Sequence, residues 1–177
     1  SYREEVRRFL MGWPLSGREA ELPEKEREAI FRRRGIEAGF VYRNVPSEYG
    51  GSGQEPDALK DAIVRDEFYA HGAPGDLGTQ GAGMLVPTLL EFGSEEQKTR
   101  FIAKALSGEE SWCQGYSEPG SGSDLASLQC RGELQGNDYV INGQKIWTSS
   151  AGQADWMFGL FRTHPDESKH AGISYLL

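Results

Sequence analysis

Apolar residues along the first hundred or so positions recur at intervals of three and four, whereas beyond Gly108 they come in short alternating runs. The change of period predicts helices followed by strands. The opening run SYREEVRRFL is helix-like, and EKEREAIFRRRGIEAGF after Pro23 reads as a helix whose charged face is solvated. VPSEYGGSGQEP is too rich in Pro, Gly and Ser to continue a helix and predicts a long surface loop. After Pro56 the pairs Leu59/Ile63 and Val64/Phe68 stand one turn apart, until Gly72-Ala73-Pro74-Gly75 breaks the helix they imply. A further helix carries Leu85, Thr88, Leu89 and Phe92 on one side, with Pro87 at a kink or start and Gly93 at its end. Ser94-Glu95-Glu96-Gln97 fits a capping box, in which Ser94 and Gln97 satisfy each other's backbone donors. Phe101, Ile102 and Ala105 form the apolar stripe of that helix, and Gly108 closes it.

Trp112 to Tyr116, Leu128 to Leu134, Tyr139 to Trp147 and Trp156 to Phe161 read as antiparallel strands. Asn142-Gly143 is a two-residue hairpin signal that sets Tyr139 opposite Ile146, and Gly136-Asn137-Asp138 marks the turn before it. The expected class is α+β, an all-helical N-terminal domain over residues 1–110 followed by an incomplete antiparallel β-domain over residues 111–177. The chain opens without Met inside a helix-like run and stops in the strand-like run Ile173 to Leu177. The natural polypeptide is therefore expected to continue, and that last run to present an unpaired apolar edge.

Composition narrows the function classes. With 37% hydrophobic and 26% charged residues the chain belongs with ordinary soluble proteins, and no apolar run reaches the ~18 residues that a membrane span needs. The charged start is unlike a secretory signal, so the cytoplasm is the expected location. Nineteen Lys and Arg against 27 Asp and Glu give a formal charge of -8, which disfavours nucleic acid as a partner. A nucleotide cofactor stays open, since backbone amides and hydroxyls can hold phosphate. Cys113 and Cys130 read as two buried reduced thiols, and His71, His164 and His170 lack metal-ligand spacing, so no metal is expected.

Two segments carry candidate chemistry. In Tyr116-Ser117-Glu118-Pro119-Gly120-Ser121-Gly122-Ser123-Asp124 the glycines allow close approach of a ligand to the backbone, and three serines offer donors. It has neither the Gly-Lys-Ser/Thr ending of a P-loop nor a strand-to-helix GxGxxG context, and a solvated turn accounts for it equally well. Lys145-Ile146-Trp147-Thr148-Ser149-Ser150 ends a strand with a planar ring and hydroxyls. That combination suits a planar heterocycle, while an interior Trp is the plainer reading.

Taken together and in order, PSEYGGSG, LLEFGSEEQKTRFIAKALSGE, SEPGSGSD and KIWTSSAGQADW resemble the acyl-CoA dehydrogenase family from about Phe40 to the end of the chain. The resemblance implies FAD as cofactor and α,β-dehydrogenation of an acyl-CoA thioester by the full-length protein. Gln114 to Ser123, including Tyr116 and Gly122, would form the flavin-side loop. Ser117 would bond the pyrimidine side of the flavin, and Ser123 would lie near both cofactor and acyl-CoA. Trp147 would pack against the ring, with Thr148 beside it and Ser149 facing N5. Tyr116 stands where the family usually has an aliphatic residue, and Thr148 where it has a branched apolar one. A C-terminal helical bundle and the glutamate that takes the α-proton are expected beyond Leu177, so no catalytic residue is assigned. The wording WCQGYSEPGSGSDLAS is similar to bacterial members acting on bulky acyl groups, including steroid side chains. An electron-transfer flavoprotein is the implied electron acceptor, and a homo- or hetero-oligomer the implied assembly. Two other functions share the scaffold: a flavin-dependent oxidase or monooxygenase, and a non-catalytic subunit of a heteromeric dehydrogenase.

Residues 1–177 alone are expected neither to hold FAD tightly nor to turn over acyl-CoA. Hydroxyl and amide donors facing open water net only about 0.5–1.5 kcal/mol each. Titration with FAD by flavin fluorescence checks this, and tight stoichiometric binding would contradict it.

Overall fold

The computed structural model describes all 177 residues, which divide into two compact units. One comprises residues 1–78 and 82–109, the other residues 110–177 and 79–81. No helix is long and apolar enough to cross a membrane.

The first unit holds five helices: α1 (Tyr2–Leu10), α2 (Glu24–Glu37), α3 (Ala58–Ala70), α4 (Val86–Phe92) and α5 (Glu95–Ser107). Their ends follow local chemistry. The Asp57 carboxylate accepts from the amides of Leu59 and Lys60 at 3.1 and 3.0 Å, which starts α3. The Ser94/Gln97 capping box forms as expected, at 3.2 and 2.9 Å, and Gly108 ends α5 at a φ of +76°. A π-helical turn over Gly81–Leu85 leads into α4, where Pro87 takes a first-turn position.

α1 packs on α3 and α4 on α5. Phe9 anchors an aromatic cluster, its ring centre 5.0 Å from Phe31 and 5.2 Å from Phe40. Val64 and Phe68 are buried as expected, as are Leu85 and Leu89, whereas Leu59 and Phe92 at the rims of their helices are exposed. The charged face of α2 is not wholly solvated. Arg32 is buried and donates from Nε to the Gly75 carbonyl at 2.8 Å, and Gly35 lies against Val41 with no room for a Cβ.

Charged groups close this unit. The Glu67 carboxylate, buried on α3, accepts from Arg3 and from two nitrogens of Arg7 at 2.8 and 3.0 Å, tying α1 to α3. Tyr42 adopts a φ of +47° after α2 and is fixed from three sides. Its amide donates to Asp76, its hydroxyl donates to the Leu106 carbonyl, and that hydroxyl accepts from the Leu77 amide.

The second unit is a five-stranded sheet of β1 (Trp112–Gly115), β2 (Arg131–Gln135), β3 (Asp138–Asn142), β4 (Trp156–Arg162) and β5 (Ile173–Leu176). The order is β1-β4-β2-β3, with β5 also on β4. The α+β class stands, but the sheet is mixed. β1 and β2 run parallel to β4, while β2–β3 and β4–β5 are antiparallel. The run at Ile173 is not left unpaired, since it pairs with β4 from Gly159↔Leu176 to Arg162↔Ile173.

The Asn142-Gly143 hairpin does not form. Tyr139 pairs with Leu134 around the Gly136-Asn137 turn, and residues after Asn142 leave the sheet. Tertiary contacts override the local turn preference. A Cβ on Gly143 would stand 2.6–2.8 Å from Cys130, and Lys145 is drawn into bonds with Tyr116, Glu118 and Leu160. Phe158 fills the centre of this unit, stacked on Tyr175 at 5.7 Å and meeting Tyr116 edge-on at 5.9 Å. Both cysteines are buried and free.

Two outcomes test these contacts. The two arginines, by hydrogen bonding, pull the Glu67 carboxyl down to about 2 from an ordinary 4.5. A depressed folded value contributes stability above the unfolded value and loses it as pH falls toward about 2. Glu67→Gln should therefore flatten the loss of stability across that acid window, measured by denaturant midpoints against pH. Gly143→Ala, with φ at +147° and Cys130 in the way, should cost about 1–3 kcal/mol in unfolding free energy. Gly152→Ala, with open space around the added methyl, should stay within about 0.5 kcal/mol.

Candidate functional site

β1 ends at Gly115, and the chain turns through Tyr116-Ser117-Glu118 into a glycine-rich loop. Glu118 and Ser121 bridge the base of that loop with reciprocal backbone bonds of 2.7 and 3.0 Å. The Ser121 hydroxyl turns inward and donates to the Asp124 carbonyl at 2.9 Å, so it serves the loop rather than a ligand. Gly120 and Gly122 have open space where a Cβ would stand. Gly122 and Ser123 lie on the exposed far limb, beside an Asp124 carboxylate held by Lys169 at 2.7 Å. Gln114 sits within β1 and hydrogen-bonds the Tyr116 phenol, which burial pushes above its ordinary pKa.

The second segment runs directly alongside. The Ile146 amide donates to the Ser117 carbonyl at 2.9 Å, which brings Tyr116, Ser117 and Trp147 into neighbouring positions. Trp147 has a φ of +56° and Ser150 one of +66°, values that a residue with a bulky side chain rarely adopts. Such backbone costs about 1–3 kcal/mol and persists only where the surroundings impose it. The Trp147 side chain is nonetheless 86% exposed, so it fills no interior. The neighbouring Thr148 hydroxyl is buried and lacks a hydrogen-bond partner, and Ser149 faces solvent. An uncovered ring on strained backbone, beside an unsatisfied hydroxyl and free ones, suits a flat heterocycle with a polar edge.

Beneath the two segments lies an ion pair that spacing alone did not reveal. Lys145 Nζ sits 2.8 Å from Glu118 Oε1, and each side chain is 7% exposed. The ammonium also donates to the carbonyls of Leu160 at 2.7 Å and Tyr116 at 3.2 Å. Glu118 accepts from the amides of Gln129 and Cys130 at 2.6 and 2.9 Å. Burial raises the Glu118 pKa, but those two amides and the Lys145 ammonium outweigh it and hold the carboxyl below its ordinary value. The sequence signal was a single cation set within a run of otherwise strand-like residues.

A cavity of about 240 Å³ opens behind the loop, bordered by Glu118, Ser121, Gln129, Cys130 and Gln144. In the helical unit a separate cleft of about 760 Å³ is walled by Phe40, Val64, Phe68 and Val86, with Arg43 and Asp61 on its rim. The histidines take no part in either segment. His71 caps α3 with Nδ1 2.8 Å from the Glu67 carbonyl, and His164 and His170 lie in the turn between β4 and β5.

Comparison with known proteins finds relatives over nearly the whole chain. Residues 1–109 match the family model of the acyl-CoA dehydrogenase N-terminal domain, and residues 113–177 that of the middle domain. Acyl-CoA dehydrogenase IpdE1 of Mycobacterium tuberculosis is 41% identical over 98% of this chain and 48% of its own length. Among solved structures, the ChsE4-ChsE5 complex from the same organism aligns at a TM-score of 0.70 and 34% identity, covering 98% of this chain and 45% of that one. The structure described as the Tcur3481-Tcur3483 steroid ACAD aligns at a TM-score of 0.69 and 34% identity, with coverage of 98% and 45%. The chain thus spans about half the length of the relatives it matches. Over that span it belongs to the acyl-CoA dehydrogenase family.

Proposed function

We propose that the polypeptide containing this chain is an FAD-dependent dehydrogenase that introduces an α,β double bond into an acyl-CoA thioester. The observation that carries this reading is the exposed Trp147 ring on left-handed backbone, beside the unpartnered Thr148 hydroxyl and next to Ile146, whose amide bonds the Ser117 carbonyl. Bound FAD would supply the hydride acceptor.

The chain's own residues have separable tasks. Trp147 would pack against the ring and shield it from water. Ser117, Gln114 and the amides near Tyr116 would meet the polar edge of the heterocycle. Ser149 would offer a hydroxyl to the reacting edge of the flavin, a donor suited to stabilising negative charge there. Gly122 lets the backbone approach the cofactor closely, and the exposed Ser123 is free to bond both cofactor and thioester substrate. No glutamate here is assigned as the base. Glu118 is occupied by Lys145 and two amides, Glu67 by two arginines, and Glu95 by Tyr49 and Lys98. The base would come from the remainder of the polypeptide, as would much of the acyl pocket.

A bulky acyl group is the favoured substrate class, because a relative sharing 34% of its residues is described as a steroid enzyme. Hetero-oligomeric assembly is favoured by the similarity to a two-component complex, and an electron-transfer flavoprotein would reoxidise the cofactor. Two free buried thiols suit a reducing compartment such as the cytoplasm.

The complete polypeptide, with any partner subunit, should purify with bound flavin or regain it on reconstitution, and bulky acyl-CoAs should bleach it anaerobically. Protein that takes up no FAD would end this reading. Ser149→Ala should slow reduction by about tenfold or more while weakening FAD binding less than about threefold. Equal losses would assign Ser149 to positioning alone.

A further inference from the structure

The two hydroxyl-bearing segments are joined by one backbone hydrogen bond, Ile146 to Ser117, and by the buried side chain of Lys145. From that geometry we infer that Lys145 is a positioning residue, which sets the register of Trp147, Thr148 and Ser149 against Ser117 and so fixes the shape of the cofactor edge. This rests on the flavin reading above and adds to it a residue that would not itself touch the ring.

The ammonium has three donors, and three acceptors take them. The Tyr116 carbonyl belongs to the loop that carries Ser117, the Leu160 carbonyl to the centre of β4, and Glu118 Oε1 to the base of the glycine-rich turn. Phe161 lies under the charge, its ring centre 5.1 Å away. Lys145 stands two residues before Trp147, so the same contacts that draw it inward set where the strained Trp147 backbone begins. The local sequence would otherwise return along β3 through the Asn142-Gly143 turn, as its hairpin signal requires. Holding the segment off the sheet needs an interaction stronger than a strand ladder at that position, and a buried charge with every donor satisfied is one.

A purely structural role is separable from this one. Lys145→Met alone strands the Glu118 carboxylate in a buried position, which lowers stability for reasons unrelated to the cofactor. Adding Glu118→Gln removes the stranded charge and keeps one acceptor oxygen, for the amide of either Gln129 or Cys130. In the complete polypeptide with any partner subunit, the double variant should regain much of the melting temperature lost by Lys145→Met. Its FAD affinity should nevertheless stay about 10–100-fold below wild type, the loss typical when outer partners that orient binding groups are removed. Its bound-flavin absorption and visible circular dichroism should also differ from wild type. Glu67→Gln, a lesion in the helical unit, is the comparison that lowers stability with FAD affinity kept. If Lys145→Met fails to fold, the double variant carries the test. FAD affinity that recovers in step with melting temperature would overturn the positioning role alone. Wild-type protein that binds no FAD would overturn the flavin reading and this assignment with it.

Discussion

A carboxylate buried where two backbone amides need an acceptor governs the β-rich unit. Glu118 stands in for a strand that is not there. It takes the amide hydrogens of Gln129 and Cys130 just before β2 begins, and those amides together with the Lys145 ammonium favour its ionised form. Burying either charge alone would cost far more than a strand ladder returns, so the two are present together or not at all. Once the pair is in place, the glycine-rich loop, the start of β2, the segment through Trp147 and the middle of β4 have little freedom left.

The helical unit meets the same requirement with different groups. Glu67 gathers arginines from α1, and Arg43 reaches Asp61, the Tyr2 hydroxyl and the Gly39 carbonyl from the loop after α2. Tyr42, at positive φ, is bonded at its amide and on both sides of its hydroxyl. In each unit buried polar side chains hold the irregular segments, and in the helical unit they also tie α1 to α3 alongside apolar packing. The hold on irregular segments follows from the backbone: a helix or strand satisfies its own amides, and a buried loop must find partners elsewhere.

That contrast also explains which parts were legible in the sequence. Helices announce themselves locally, so the Ser94 box, the start of α3 after Pro56 and the Gly108 stop could be read from neighbouring residues. Strand positions near Trp112 and Trp156 were likewise visible in the alternation, but their parallel pairing was not. It depends on residues some forty positions apart, Trp112 meeting Trp156. The Asn142-Gly143 hairpin was a sound local inference defeated by Cys130 and Lys145, neither of which the turn itself can sense. At the candidate site the residue types were readable from SEPGSGSD and KIWTSS. The strain at Trp147, the unsatisfied Thr148 hydroxyl and the inward turn of Ser121 were not, because they arise only once the two segments meet.

The β2–β3 ribbon has a different standing from the rest of its sheet. Leu134 is largely open to water and Tyr139, Val140 and Ile141 are each about two-fifths exposed, and the ribbon's ladder to β4 is the single pair Arg131↔Arg162. A two-stranded ribbon with so little behind it is marginal in water. It can open without disturbing β4, whose neighbours are β1 and β5 along most of its length. Its inner amides would trade hydrogen with solvent through that local opening, far sooner than those of β4, which must await unfolding of the unit as a whole.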